Sequence, residues 1–91
     1  MDAHTRRPVV VGIDGSDSAL QAVLWGTAEA VRRDVGLRLV IAFERTRADG
    51  PGVPGLGDVL LDRARLRLAE AVEVAVREGP GVHLEHQLVV G

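Results

Sequence analysis

Asp14 is the residue of this chain best placed for chemistry. It follows the apolar run Val9-Val10-Val11-Gly12-Ile13 and opens the turn sequence Asp14-Gly15-Ser16-Asp17. A near-continuous, Val-rich run suits a strand buried on both faces, as in a parallel sheet. Open α/β sheets bind ligands at the carboxyl ends of their strands, where strand order reverses. A carboxylate at that point can accept a hydrogen bond from a ribose hydroxyl. It can instead bond the backbone of its own turn.

Other groupings carry less. The Ser-Gly-Gly-x-Asp-Ser pattern of ATP pyrophosphatases aligns with Ile13–Ser18; its closing Asp17-Ser18 matches, but its Ser and first Gly are lost. A carboxylate would then stand where pyrophosphate needs backbone N–H groups. There is no Gly-x-Gly-x-x-Gly, and a chain without Lys has no Walker lysine. His83 and His86 are three apart on a strand pattern, so they face opposite sides and do not converge on a metal. His4 lies in the amino-terminal tail, where chains fray. No His falls on the carboxyl side of the first strand, so no Ser-His-Asp arrangement can be argued. The absence of Cys removes disulfides, thiol nucleophiles and Cys-based zinc sites. The residues therefore point to a binding module and not to an enzyme.

The elements that must position Asp14 alternate between strand and helix. Pro8 sits at the start of the first strand, where a missing N–H is tolerated. Ser16 or Asp17 can cap the helix that follows. From about Ser18 to Val35 the spacing predicts a helix, with Leu20, Leu24, Ala28, Val31 and Val35 as its apolar stripe. Gly36 is its expected terminator. Leu37–Phe43 alternates as a second strand, with Leu37, Leu39, Ile41 and Phe43 on one face and Arg38, Val40 and Ala42 on the other. Arg45–Asp58 is rich in Gly and Pro and reads as a mobile loop, neither helix nor strand. Asp58 is the expected cap of a long helix to about Glu78. Its stripe is Leu61, Ala64, Leu68, Val72 and Ala75, and Arg63 and Arg67 face mostly to solvent. Gly79-Pro80-Gly81 stops it. Val82–Val90 is a third strand whose weak alternation suits a sheet edge. The order β-α-β-α-β implies parallel strands with right-handed crossovers. The predicted fold is α/β: a partial doubly wound, Rossmann-like sheet of three strands in order 3-2-1 with two helices on one face.

With 91 residues the chain forms one small domain. A chain of that size buries only roughly 60–65% of its unfolded surface and is marginal alone. Its 46% hydrophobic and 26% charged residues are those of a globular domain. A formal net charge of -2 argues against a nucleic-acid partner, which would require a basic face. All 11 basic residues are Arg, a whole-chain bias that locates no site. No apolar run reaches the ~18–20 residues of a membrane span, and Val9–Ile13 is too short for a signal-peptide core. A cytoplasmic protein with no membrane partner is expected.

This ordered set resembles the universal stress protein family. The resemblance rests on Val9–Ala19 as the opening strand and turn, on Ala22 and Trp25-Gly26 in the first helix, and on Leu39–Glu44 as the second strand. The long loop, amphipathic helix and Val82–Gly91 strand follow in register. It covers nearly all of this chain and about two-thirds of a family domain. It implies a five-stranded sheet of order 3-2-1-4-5 in the complete domain, commonly dimeric and commonly ATP-binding. By the same resemblance, Asp14 contacts the nucleoside and backbone near Ala42 meets the adenine. Ile13 and Gly15 flank Asp14 and complete the candidate binding set. The family holds phosphates in a Gly-x2-Gly-x9-Gly-Ser/Thr stretch after strand four, and these 91 residues contain no such stretch. The expectation is an adenine-nucleotide site that is incomplete within this chain. No cofactor and no ordered triphosphate are expected for it alone, and ATP or another adenine nucleotide is expected once the domain is completed. The alternative is an association module that binds no nucleotide.

A 3-2-1 order leaves the first strand at an edge, with unpaired N–H and C=O groups that invite another chain. The sheet face away from the helices is expected to be bare and largely apolar, roughly 200–300 Å² in projection. A homo-oligomer through strand 9–13, the uncovered face, or both is the expected assembly.

Overall fold

The computed structural model describes residues 7–14, 18–43 and 55–91. In chain order these form β1 (Val9–Ile13), α1 (Ser18–Arg33), β2 (Leu37–Phe43), α2 (Leu56–Glu78) and β3 (Leu84–Val90). The strands make one parallel sheet in the order β1-β2-β3. Read from the other edge this is the predicted 3-2-1 order, and the architecture is the predicted α/β one. β2 is central: Leu39 pairs with Val11 on one side and His86 on the other.

Both helices cover the same face. Leu37, Leu39, Ile41 and Phe43 of β2 are buried beneath them, with Val11 and Ile13 of β1. This is the face that the alternation of β2 assigns to the core. β3 behaves as an edge: Leu84 and Leu88 are only half-buried and its other residues are exposed. It begins two residues later than the sequence pattern suggests, because the Val82 N–H donates to Gly79 O at 3.0 Å and closes a turn there.

The stripe expected for α1 is out of phase with the observed one. Leu20, Ala28 and Val31 are exposed, and the buried line is Ala19, Val23, Gly26, Thr27 and Ala30. The reason is close packing. A Cβ on Gly26 would collide with Val11 Cγ2, so the helix lies on β1 through its small residues. Thr27 is the buried polar member, and its hydroxyl donates to Val23 O at 2.7 Å.

Gly36 does not end α1; Asp34 does. Asp34 has φ 54, the Val35 N–H donates to Ala30 O at 3.0 Å, and the Asp34 N–H donates to Val31 O at 3.2 Å. That pair of bonds is the Schellman arrangement, which satisfies the last carbonyls of a helix. Gly36 has another task. A Cβ there would stand 3.1 Å from His83 O, the group that accepts the Leu37 N–H at 2.9 Å.

α2 starts at Leu56, inside the segment read as loop. Gly55 with φ 83 stands at its N-cap, and Asp58 lies in the first turn and not at the cap position. A carboxylate there still favours the positive helix end. Residues 45–54 of the expected loop, and Ser16 and Asp17, lie outside the described residues. Leu61, Ala64, Leu68 and Ala75 are buried as predicted, with Ala71 more deeply seated than Val72.

The open face is more polar than expected. Pairing sets Val10, Arg38 and Glu85 in one row and Gly12, Val40 and Gln87 in the next. Arg38 donates through Nη2 to Glu85 Oε2 at 2.9 Å across that face. A parallel pair brings those residues side by side, so two charged positions that look isolated in sequence neutralise each other. The apolar remainder is Val10, Val40, Ala42 and Val89.

Candidate functional site

The carboxyl ends of β1 and β2 open into a cleft of about 370 Å³. Asp14 follows the last paired position, Ile13↔Ile41, so it stands level with Ala42 at the sheet's rim. Ile13, Asp14 and Ala42, read from the sequence as candidate binding residues, all line this one cleft. Gly15, the fourth candidate, lies outside the described residues. Ile13 is buried with its side chain toward the helices, whereas Asp14 and Ala42 are exposed at the mouth. Ile41, Phe43 and Ala64 give the cleft an apolar floor.

The opposite wall comes from α2. Leu60, Arg63, Ala64 and Arg67 line it. Their spacing of three, four and seven residues is one stripe on a helix. Arg63 and Arg67 were read from the sequence as solvent-facing. They are exposed, yet they also border the cleft. The cleft thus has a carboxylate on its sheet wall and two guanidiniums on its helix wall. The signal available in the sequence was that stripe itself, two arginines beside a leucine and an alanine on the first half of α2.

Size does not single out this cleft. A larger hollow of about 600 Å³ lies at the amino end of the sheet, lined by Ala30, Val31, Asp34, Val35 and residues 78–83. A third, of about 440 Å³, runs between α2 and β3 beside His86. Its ionisable groups are Arg65, Glu73 and His86. Among the described residues no three His, Asp or Glu side chains gather as a metal-holding group. No helix among them is long and apolar enough to cross a membrane.

Two carboxyls with lowered pKa, Glu85 and Glu29, lie on the sheet's open face and on α1. Glu85 is held below the usual carboxylate range, first by the hydrogen bond from Arg38 and then by His83. Glu29 is held low chiefly by its hydrogen bond with Arg32 on α1, and Arg33 adds to this. Both are surface ion pairs that join structural elements or turns.

The family model for the universal stress protein family matches residues 5–91. The chain belongs to the universal stress protein family. It is 37% identical over 90 residues to universal stress protein Rv3134c of Mycobacterium tuberculosis, an alignment that takes in 99% of this chain and 32% of that protein. It therefore spans about a third of the length of that relative. Among solved structures it is similar to the universal stress protein from Archaeoglobus fulgidus, with a TM-score of 0.70 and 26% identity, covering 94% of this chain and 59% of that one. It is also similar to a universal stress protein crystallised in complex with cAMP, with a TM-score of 0.67 and 30% identity, covering 93% of this chain and 61% of that one. Universal stress protein architecture accounts for the placement of the cleft, since these folds carry their strand ends on one rim.

Proposed function

We propose that this universal stress protein module binds the nucleoside part of an adenine nucleotide in the carboxyl-end cleft and performs no chemistry on it. Asp14 accepts a ribose hydroxyl, and Ile13, Gly15 and the backbone at Ala42 flank the sugar and base. The observation that carries the reading is the convergence of Ile13, Asp14 and Ala42 on one cleft with an apolar floor. Its volume of about 370 Å³ suits a small molecule, for which sites run about 300–1,000 Å³. The relative crystallised with cAMP supports an adenosine-bearing ligand. The family's phosphate-binding glycine stretch does not occur within these 91 residues. In this reading no cofactor is required by this chain alone, ATP or another adenine nucleotide is the ligand of the completed domain, and the protein acts in the cytoplasm in a stress response. It engages neither nucleic acid nor membrane.

Isothermal titration with adenosine tests this. Saturable heat that Asp14→Ala weakens by roughly tenfold or more supports the reading, the loss expected for a hydrogen bond to a charged group. Unchanged affinity in that variant removes Asp14 from the site.

One feature of the sheet favours a second reading, an association module that binds no nucleotide. β1 is an edge strand of this sheet, and its Val10 is 58% exposed. A second copy adding antiparallel at β1 would extend the sheet to six strands and form a homo-oligomer through residues 9–13 and the open face. Light scattering decides: a stable monomer at high micromolar concentration refutes it, and dissociation by Val10→Asp supports it.

A further inference from the structure

Arg63 and Arg67 sit four apart on α2, and both line the cleft that holds Asp14. Like charges at that spacing on a helix repel each other. Among the described residues no ion pair relieves them. The ion pair on this stretch of α2 joins Arg65 to Asp62, and among the described residues neither Arg63 nor Arg67 makes an ion pair. On α1, by contrast, Arg32 and Arg33 share Glu29 at 2.7 and 3.0 Å. Two guanidiniums left together on one wall of a concave site offer planar donor forks to an anion.

The opposite wall carries the carboxylate of Asp14, which would repel that anion. The ligand must therefore present hydroxyl donors to the sheet wall and negative charge to the helix wall. A nucleotide with a phosphate on its ribose carries both groups, hydroxyls on the sugar ring and the phosphate a few bonds away on the same sugar. The geometry points to Arg63 and Arg67 as the phosphate contact of this cleft. This inference rests on the nucleoside reading above and adds the ligand's charged half.

The test is isothermal titration of the chain with adenosine and with AMP. The wild-type chain should bind AMP at least about tenfold tighter than adenosine, since charge-assisted bonds exceed neutral ones. R63Q/R67Q should lose the AMP preference, with the ratio of the two affinities falling to about one. Gln is a good helix former and both positions are exposed, so the fold should survive, as circular dichroism would check. A readout that needs no variant accompanies it: raising salt should erode the AMP preference and leave adenosine binding unchanged. Equal affinity of the wild type for AMP and adenosine overturns the arginine role while the nucleoside reading stands. A preference for AMP that persists in R63Q/R67Q overturns it as well. Binding of neither compound overturns both readings together.

Discussion

At the amino end of the sheet the backbone bonds itself, and at the carboxyl end side chains line an open cleft. The Val9 N–H donates to Gly36 O and the Leu37 N–H to His83 O, each at 2.9 Å. The Asp34 turn and the Gly79 turn close there too, so the larger hollow is walled by groups already spent on structure. At the other rim Asp14, Arg63 and Arg67 meet over an apolar floor. The smaller hollow is the one on which charged side chains from both a strand end and a helix converge.

If that division holds, substitutions at the amino end move stability and those at the carboxyl end move binding. The largest effect is expected from Leu37→Ala. Leu37 is 1% exposed at the entry of β2, and truncation there should cost about 2–5 kcal/mol in urea unfolding. In a chain of this size that removes much of the net stability. Asp14→Ala should cost a small fraction of that loss in the same assay and yet weaken adenosine binding by roughly tenfold. A variant that unfolds as readily as Leu37→Ala would erase the distinction between the ends.

The amino end also offers a gain. Asp34 holds a left-handed conformation that costs an L-residue roughly 1 kcal/mol or more. Asp34→Gly should therefore raise the unfolding free energy by about 0.5–1 kcal/mol with no change in ligand affinity. Unchanged or lower stability would mean the Asp34 side chain contributes more than its backbone costs.

The smallest effect is expected on the open face. The Glu85 carboxyl is lowered in the folded chain, so its contribution is complete above the ordinary carboxylate range and fades as pH falls through the lowered value. Glu85→Gln should flatten that part of the acid-unfolding profile and leave the neutral-pH cleft untouched. The pair is exposed, with side chains 43% and 51% accessible, so high salt should mute the difference.

The fold was largely legible in the sequence, and the site only by half. Val9–Ile13 and Leu37–Phe43 announce themselves because parallel strands bury both ladder and side chains, and strand ends place Asp14 and Ala42 at a rim. The phase of α1 was hidden. Hydrophobicity favours Leu20 and Val31, whereas contact with β1 selects Ala19, Val23 and Gly26 by size. The end of α1 was hidden for a similar reason: Gly36 is the conformationally free residue, but Asp34 takes the left-handed turn and Gly36 is kept for closeness to His83. Arg63 and Arg67 looked like solvent-facing charges. Only the way α2 overhangs the ends of β1 and β2 turns that face into a wall, and that is a tertiary fact.

The most direct test of the carboxyl-end site is an amide chemical-shift titration of the 15N-labelled chain with AMP. Saturable shifts should concentrate at Ile13, Asp14, Ala42, Phe43, Arg63 and Arg67, with Asp34 and residues 79–83 unmoved. Shifts centred instead on Asp34, Gly81 and His83 would put the ligand in the larger hollow and contradict the account.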